Sequence, residues 1–193
     1  MPTDLILKNI AKHISPTADE KEYFLSLMKE ETITRKTFLL QEGQLCRSIF
    51  YVQSGTIRAY YIDKSGKEST IMFAIADWWI TDMYCFINRL PAMLNIVALE
   101  DSVVLQLQKT DWDQLLIVKP VFEKYFRILM QNAYIREQLR IIQNLSISAE
   151  ERYDNFLLKY PQVVKQVTQK QIASYLGITP EFLSSIRAGK TKK

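Results

Sequence analysis

The chain has 193 residues, of which 48% are hydrophobic and 24% charged, so it is long enough for one large domain or for a larger and a smaller one. Its 5 Gly and 6 Pro residues exclude collagen-like repetition, and no apolar run reaches the roughly 18 residues that a membrane-spanning helix needs. Cys46 and Cys85 are too few and too far apart for a disulfide framework or a zinc knuckle. We therefore expect a soluble, cytoplasmic protein with no metal site and no membrane partner.

The net charge of +4 is unevenly distributed along the chain. Residues 159–193 contain seven basic residues and one acidic residue, so this segment carries +6 and the remainder −2. A basic C-terminal segment indicates a polyanionic partner such as DNA, although lysines there can also be ordinary solvated surface.

The N-terminal half of the sequence changes from helical to strand-like patterns. The first 30 residues have the apolar spacing of helices, and Ser15 and Pro16 stand where a second helix would be capped and begin. Short runs rich in β-branched and aromatic residues follow, separated by turn residues. The predicted strands are Thr37 to Gln41, Ser48 to Gln53, Thr56 to Asp63, Lys67 to Ile75, Leu94 to Leu99 and Ser102 to Leu107. Tight turns and a single helix-sized gap, near residues 80–92, indicate an antiparallel roll or barrel.

A helical pattern returns after Lys109 and carries a heptad stripe. Its members are Val121, Tyr125, Ile128, Asn132, Ile135, Leu139 and Ile142. One Asn in such a stripe commonly fixes the register of a two-stranded pairing, so the stripe predicts a parallel homodimer. Phe122, Phe126 and Leu129 form a second apolar face, so packing of the helix on its own roll is the alternative, and both can hold at once.

The segment from Ser146 to Tyr160 is again helical, with Ser148 as its cap, and Pro161 ends it. The end of the heptad stripe and the change in charge place a boundary near residue 146. We expect a roll over residues 1–118, a dimerisation helix over 119–145 and a third part over 146–193.

The stretch from Thr168 to Arg187 has the spacing of a helix-turn-helix. Ile172, Ala173 and Leu176 form the buried face of the first helix, which Thr168 caps. Gly177 supplies the tight turn, and Thr179 caps a second helix that has Pro180 at its first position. Leu183 and Ile186 face the core of this unit.

In a helix-turn-helix the outward residues near the start of the second helix lie over base edges in the major groove. Glu181 would accept a hydrogen bond from a cytosine amino group, and basic side chains would hold phosphates. The candidate DNA-contacting residues are Thr168, Gln169, Thr179, Pro180, Glu181, Ser184, Ser185, Arg187 and Lys190, with further charge from Lys170, Lys192 and Lys193.

The order of these parts resembles the Crp-Fnr family of bacterial transcription factors. Gly43, the stretch Tyr51-Val52-Gln53-Ser54-Gly55-Thr56-Ile57 and the start Thr179-Pro180-Glu181 carry the resemblance. It implies an α+β fold: an N-terminal antiparallel β-roll (a cyclic-nucleotide-binding-like jelly roll) with flanking helices, a long dimerisation helix and a C-terminal helix-turn-helix. It also implies a homodimeric transcription regulator, not an enzyme, that reads a palindromic operator on double-stranded DNA with RNA polymerase as a further partner.

The sequence departs from this family where cyclic-nucleotide-binding members hold the phosphate. Those members place an Arg and a Ser or Thr there, and this sequence has Ala92 and Met93. Cyclic AMP is therefore not expected as effector unless Arg89 substitutes, and no cofactor is expected. The surrounding aromatic side chains either fill the roll or receive an apolar effector of unknown identity. The candidate pocket residues are Trp78, Trp79, Asp82, Met83, Arg89, Ala92 and Met93.

Two other classes of protein are alternatives to a transcription regulator. A cupin-type metalloenzyme would need several histidines inside the roll, and the single histidine, His13, lies outside it. An interaction module with weak or vestigial DNA binding is the stronger alternative, because Pro180 and Ser185 stand where many family members place base-reading arginines. That alternative predicts no sequence preference and no steep salt dependence of DNA affinity.

Overall fold

Two four-stranded antiparallel sheets form a β-roll in the computed structural model, which describes residues 3–191. The first sheet has the order β1 (Lys29–Ile33), β8 (Ser102–Gln108), β3 (Ser48–Ser54) and β6 (Trp78–Ile80). The second has the order β2 (Phe38–Leu40), β7 (Asn95–Ala98), β4 (Ile57–Ile62) and β5 (Glu68–Ala74). The predicted antiparallel roll is confirmed, and β5 and β6 each form one edge of a sheet.

The sequence patterns missed β1 and β6. Strand β1 is mostly charged and has no apolar alternation, and it exists because Glu31 and Thr32 pair with Val104 and Val103 of β8. Strand β6 has only three residues, too few for a period to show. Both strands are therefore products of pairing with a partner and not of local propensity.

Five helices accompany the roll in the described part of the chain: α1 (Asp4–Ala11), α2 (Ala18–Ser26), α3 (Met83–Asn88), α4 (Lys109–Val118) and α5 (Val121–Ser146). The cap of α2 is Thr17, so the expected start at Ser15 and Pro16 is wrong. The Thr17 hydroxyl accepts from the Glu20 amide, and the Glu20 carboxylate accepts from the Thr17 amide at 2.7 Å. This reciprocal pair satisfies two amides at the helix start, which Ser15 does not do.

The C-terminal part consists of four helices: α6 (Ala149–Lys159), α7 (Val163–Gln166), α8 (Gln169–Leu176) and α9 (Pro180–Thr191). Ser148 caps α6 through a reciprocal pair with Glu151, as expected. Within residues 3–191, none of the helices combines the length and the apolar character needed to cross a membrane.

Two hydrophobic cores hold the molecule together. The larger lies between the sheets and reaches α1, α2 and the first turns of α5, where Phe24 stacks on Phe122 with ring centroids 4.8 Å apart. The smaller lies under the C-terminal helices and includes Phe73 of β5. Because Phe73 belongs to the smaller core, the C-terminal helices are packed directly on the roll.

Candidate functional site

The predicted helix-turn-helix is present as α8, a tight turn and α9. The Thr168 hydroxyl accepts from the Gln171 amide at 3.2 Å, and Gly177 ends α8 in the left-handed region at φ +70°. The Thr179 hydroxyl accepts from the Phe182 amide at 3.2 Å, which caps α9. These local features fix both ends of α8 and the start of α9.

Most of the candidate DNA-contacting residues lie on the exposed surface of this unit. Leu183 is fully buried against α8, and this contact sets the rotation of α9 about its axis. The exposed candidates are Thr168, Gln169, Thr179, Pro180, Glu181, Ser184, Ser185 and Arg187. These exposed residues lie along α9 and near the start of α8.

Lys190 differs from the other candidates. Its ammonium group donates to the Asp154 carboxylate, lies 4.0 Å from Glu150 and stands over the Tyr153 ring. In this structure its charge ties α9 to α6, and its predicted contact with a DNA phosphate stays a prediction. Lys192 and Lys193 lie outside the described residues.

Helix α8 is docked on the open edge of strand β5 through Ser174. The Ser174 hydroxyl accepts from the Thr70 amide at 2.8 Å and donates to the Glu68 carbonyl at 2.8 Å. The Thr70 amide and the Glu68 carbonyl belong to residues two apart in the strand, so both point away from β4. Because β5 is the edge of its sheet, no further strand forms hydrogen bonds with them. A side chain of the helix-turn-helix therefore forms hydrogen bonds with two backbone groups at the edge of the roll.

Aromatic and basic side chains extend this contact between the roll and the C-terminal helices. The Trp78 ring packs edge-on against Tyr160, with centroids 6.0 Å apart. The Arg136 guanidinium lies 4.7 Å from the Trp78 ring centroid, and Arg140 lies 5.2 Å from the ring centroid of Tyr175. Helix α5 thus touches both the roll and α8 with its basic side chains.

Ser174, Arg136 and Arg140 make contacts between the roll, α5 and α8 that the sequence patterns did not predict. The sequence around Ser174 gives no signal of this contact, because a polar residue in an amphipathic helix is ordinarily expected on the solvent-facing side. The arginines did have one: the second apolar face of α5 continues at heptad spacing through Ala133 and then becomes Arg136 and Arg140. That change marks the point where α5 leaves the roll core and meets the C-terminal helices.

The heptad stripe of α5 divides into a buried and an exposed part. Tyr125 is fully buried, donates to Asn9 Oδ1 at 2.7 Å and accepts from Trp79 Nε1 at 3.0 Å, so it does not face a partner. Val121 also packs on the roll core. Tyr125 therefore closes the roll, whereas Val121 is only partly buried there and its role in a dimer interface stays a prediction. Ile128 is half-buried, and Asn132, Ile135, Leu139 and Ile142 are exposed.

A cavity of about 520 Å³ lies between β6 and α5. Three of the predicted pocket residues line it, namely Trp78, Trp79 and Met83. Leu129 and Met130 of α5 contribute further apolar surface. The charged residues in its lining are Asp77, Arg136 and Glu137. The space fits an apolar or aromatic molecule with a small polar group.

The other four predicted pocket residues lie elsewhere. Asp82 accepts from the amides of Met93 and Leu94 at 2.8 and 3.0 Å, so its carboxylate holds the loop after α3. Ala92 is buried and its amide donates to the Gln44 carbonyl at 2.7 Å. Met93 is exposed to solvent. None of these three residues lines the cavity between β6 and α5, and an effector-binding role for them stays a prediction.

Arg89 does not replace the missing phosphate clamp. Its guanidinium donates to Asp113 Oδ2 at 2.9 Å on the surface of the molecule, and it is not part of the cavity lining. Ala92 and Met93 stand at the positions that the resemblance assigns to the phosphate clamp, and neither side chain supplies a positive charge.

A polar network closes the cavity at Asp77. The Asp77 carboxylate accepts from Asn9 at 2.8 Å, from Tyr51 at 2.6 Å and from Lys12 at 2.6 Å. Burial raises the pKa of Asp77, but the bonds from Lys12, Tyr51 and Asn9 outweigh it and hold this pKa below its ordinary value. A carboxylate with all these donors is a structural anchor between α1, β3 and β6.

Comparison with known proteins agrees with this architecture. Residues 30–118 match the cyclic nucleotide-binding domain family. The chain is 26% identical over 175 residues to the regulatory protein HlyX of Actinobacillus pleuropneumoniae, covering 82% of this chain and 70% of that protein. It is 26% identical over 169 residues to the fumarate and nitrate reduction regulatory protein of Vibrio cholerae, with 82% and 67% covered.

A solved structure, FixK2 from Bradyrhizobium japonicum, shares the fold. The TM-score is 0.73 at 15% identity, and the match covers 86% of this chain and 85% of that one. Over most of its length the chain is therefore similar to transcription regulators of the Crp-Fnr type.

Proposed function

We propose that this regulator is a cytoplasmic homodimer that binds a palindromic operator on double-stranded DNA through α8 and α9. The observation that carries the proposal is the exposed start of α9, held in place by the Thr179 cap and the buried Leu183. The basic balance of residues 159–193 supports a polyanionic partner. Bound on DNA, the regulator would also contact RNA polymerase.

The exposed part of the α5 stripe supports dimerisation. Ile135, Leu139 and Ile142 leave about half of their side-chain surface to solvent, at 51%, 53% and 50%. The neighbouring exposed apolar residues on the same half of α5 are Tyr134, Ile141 and Leu145. A second copy of α5 would remove this surface from water, and Asn132 would fix the register. Two readers related by a two-fold axis meet half-sites about one helical turn apart.

The cavity beside α5 supports regulation by a small apolar or aromatic molecule. Trp78 and Arg136 line the cavity and contact each other, and Trp78 also packs on Tyr160 in the C-terminal part. A ligand that moves these side chains would change how α8 is held on the roll. The ligand would shift the equilibrium between two orientations of the helix-turn-helix units, and the size of the shift would be set by the difference between its affinities for the two orientations. Cyclic AMP does not fit this scheme, since the phosphate clamp is missing.

The direct test is a selection of genomic fragments with the purified full chain at low and at moderate salt, followed by sequencing. Enrichment of an inverted repeat with half-sites about 10 base pairs apart is expected. With the enriched duplex, Arg187→Ala should reduce the slope of log affinity against log salt by about one, because one phosphate contact is lost. Lys8→Ala on α1 is the matched control and should leave the slope unchanged. A monomeric or structureless footprint would contradict the proposal.

One observation favours a second candidate function, an interaction module with vestigial DNA binding. From Pro180 to Ile186 the described part of α9 has no basic side chain, so arginine or lysine readout of guanine is absent there. This alternative predicts no enriched site and a flat salt dependence. The same selection therefore separates the two functions.

A further inference from the structure

Phe182 is a large apolar side chain left in water at the start of the recognition helix α9. Its side chain is 51% exposed, and it is not among the residues that pack on the hydrophobic core of the C-terminal helices. The backbone that carries the ring is held in place, because the Phe182 amide donates to the Thr179 hydroxyl and the next residue, Leu183, is fully buried. On the helix that we propose to enter the major groove, this ring is placed to contact an apolar group of the DNA.

The rest of the exposed surface around Phe182 has little to read DNA with. Over the first two turns of α9 the exposed neighbours are Pro180, Glu181, Ser184 and Ser185. Glu181 accepts hydrogen bonds, the serines give short polar contacts, and Pro180 has no amide hydrogen. Phe182 is the only member of this described surface that can bury a large apolar area.

In the major groove, the C5 methyl group of thymine is the apolar feature among the base edges. We propose that Phe182 reads a thymine methyl in each operator half-site, next to a cytosine whose amino group donates to Glu181. This inference rests on the proposed entry of α9 into the major groove. It makes the helix a reader of thymine and cytosine in place of the guanine contacts that an arginine would give.

The test uses the full chain and synthetic duplexes of the sequence enriched by the genomic selection. Each thymine is replaced in turn by uracil, which lacks the methyl group and keeps every hydrogen-bonding group. One position in each half-site should lose about fourfold in affinity, the equivalent of burying one methyl group. Fluorescence anisotropy at fixed salt measures the change.

The matched variant is Phe182→Ala, which removes an exposed ring and leaves the Thr179 cap and Leu183 in place. It should bind the thymine duplex more weakly than the wild type and lose no further affinity on the uracil duplex. The control is Phe38→Ala on β2, where the Phe side chain is 40% exposed on the roll. This control should keep the fourfold preference for thymine.

The outcomes distinguish the inference from the function on which it rests. Wild-type protein that binds thymine and uracil duplexes equally at every position overturns the inference alone. A Phe182→Ala variant that keeps the preference for thymine assigns the methyl to another residue and also overturns it. Absence of DNA binding under all salt conditions overturns the proposed function and the inference together.

Discussion

The hydroxyl of Ser174 is the polar contact through which α8 completes the edge of strand β5, so removing it tests how firmly the helix-turn-helix is held on the roll. In Ser174→Ala the amide of Thr70 loses its acceptor and the carbonyl of Glu68 loses its donor. The Thr70 hydroxyl, which lies 3.2 Å from Ser174 Oγ, keeps only the bond from Arg58 Nε. The substitution changes no charge and adds no atom.

The size of the effect follows from the burial of Thr70, which is only 3% exposed. A buried amide without a partner costs roughly 1–3 kcal/mol. The packing of Phe73 and Tyr175 beside it limits the access of replacement water. We therefore expect Ser174→Ala to lower the free energy of unfolding by about 2 kcal/mol, a factor of about 30 in the folded-to-unfolded ratio.

Urea unfolding followed by tryptophan fluorescence measures this loss, since Trp78 packs on Tyr160 at the same contact. Amide hydrogen exchange at Thr70 gives a local reading and should become faster. The control is Ser184→Ala on the exposed side of α9, which should stay within about 0.5 kcal/mol of the wild type. Equal stability of the two variants, with unchanged exchange at Thr70, would refute the reasoning.

Three further substitutions test other parts of the structure. Gly55 has φ +93°, and a Cβ added there would lie 2.1 Å from Ser102 Oγ, whereas Gly66 has φ +81° and open space around it. Gly55→Ala should therefore lower the free energy of unfolding by at least about 2 kcal/mol more than Gly66→Ala does. Thermal melts that rank the two variants equally would contradict this. The lowered pKa of Asp77 contributes stability above the ordinary carboxyl pKa of about 3.9, and this contribution is lost as pH falls through the lower folded value. The stability gap between wild type and Asp77→Asn should therefore be widest near neutral pH and shrink below about pH 4, and a pH-independent gap in urea unfolding would be inconsistent with this role. Ile135→Glu should convert the proposed dimer to a monomer in light scattering, whereas Leu158→Glu, on a side chain 81% exposed on α6, should not; a surviving dimer would place the interface elsewhere.

The sequence by itself determined the helix-turn-helix, because its signals are local. Thr168, Gly177 and Thr179 each act within three or four residues of their own position, through a cap or a left-handed turn. The roll was also readable, since its longer strands carry β-branched and aromatic runs between tight turns. The short strands β1 and β6 were not, because pairing with β8 and β3 creates them.

The tertiary structure alone decided which surfaces face each other. Tyr125 and Ile135 stand on the same heptad stripe, yet one closes the roll and the other faces solvent, because the roll covers only the first turns of α5. Asp82 was expected in the pocket, and its carboxylate instead satisfies the amides of a loop that folds back on it. Ser174 meets an edge strand about a hundred residues away in the chain, a contact that no local pattern encodes. The periodicity of the sequence predicts on which face of a helix or strand a side chain lies, but only the packing of the whole chain decides what that face contacts.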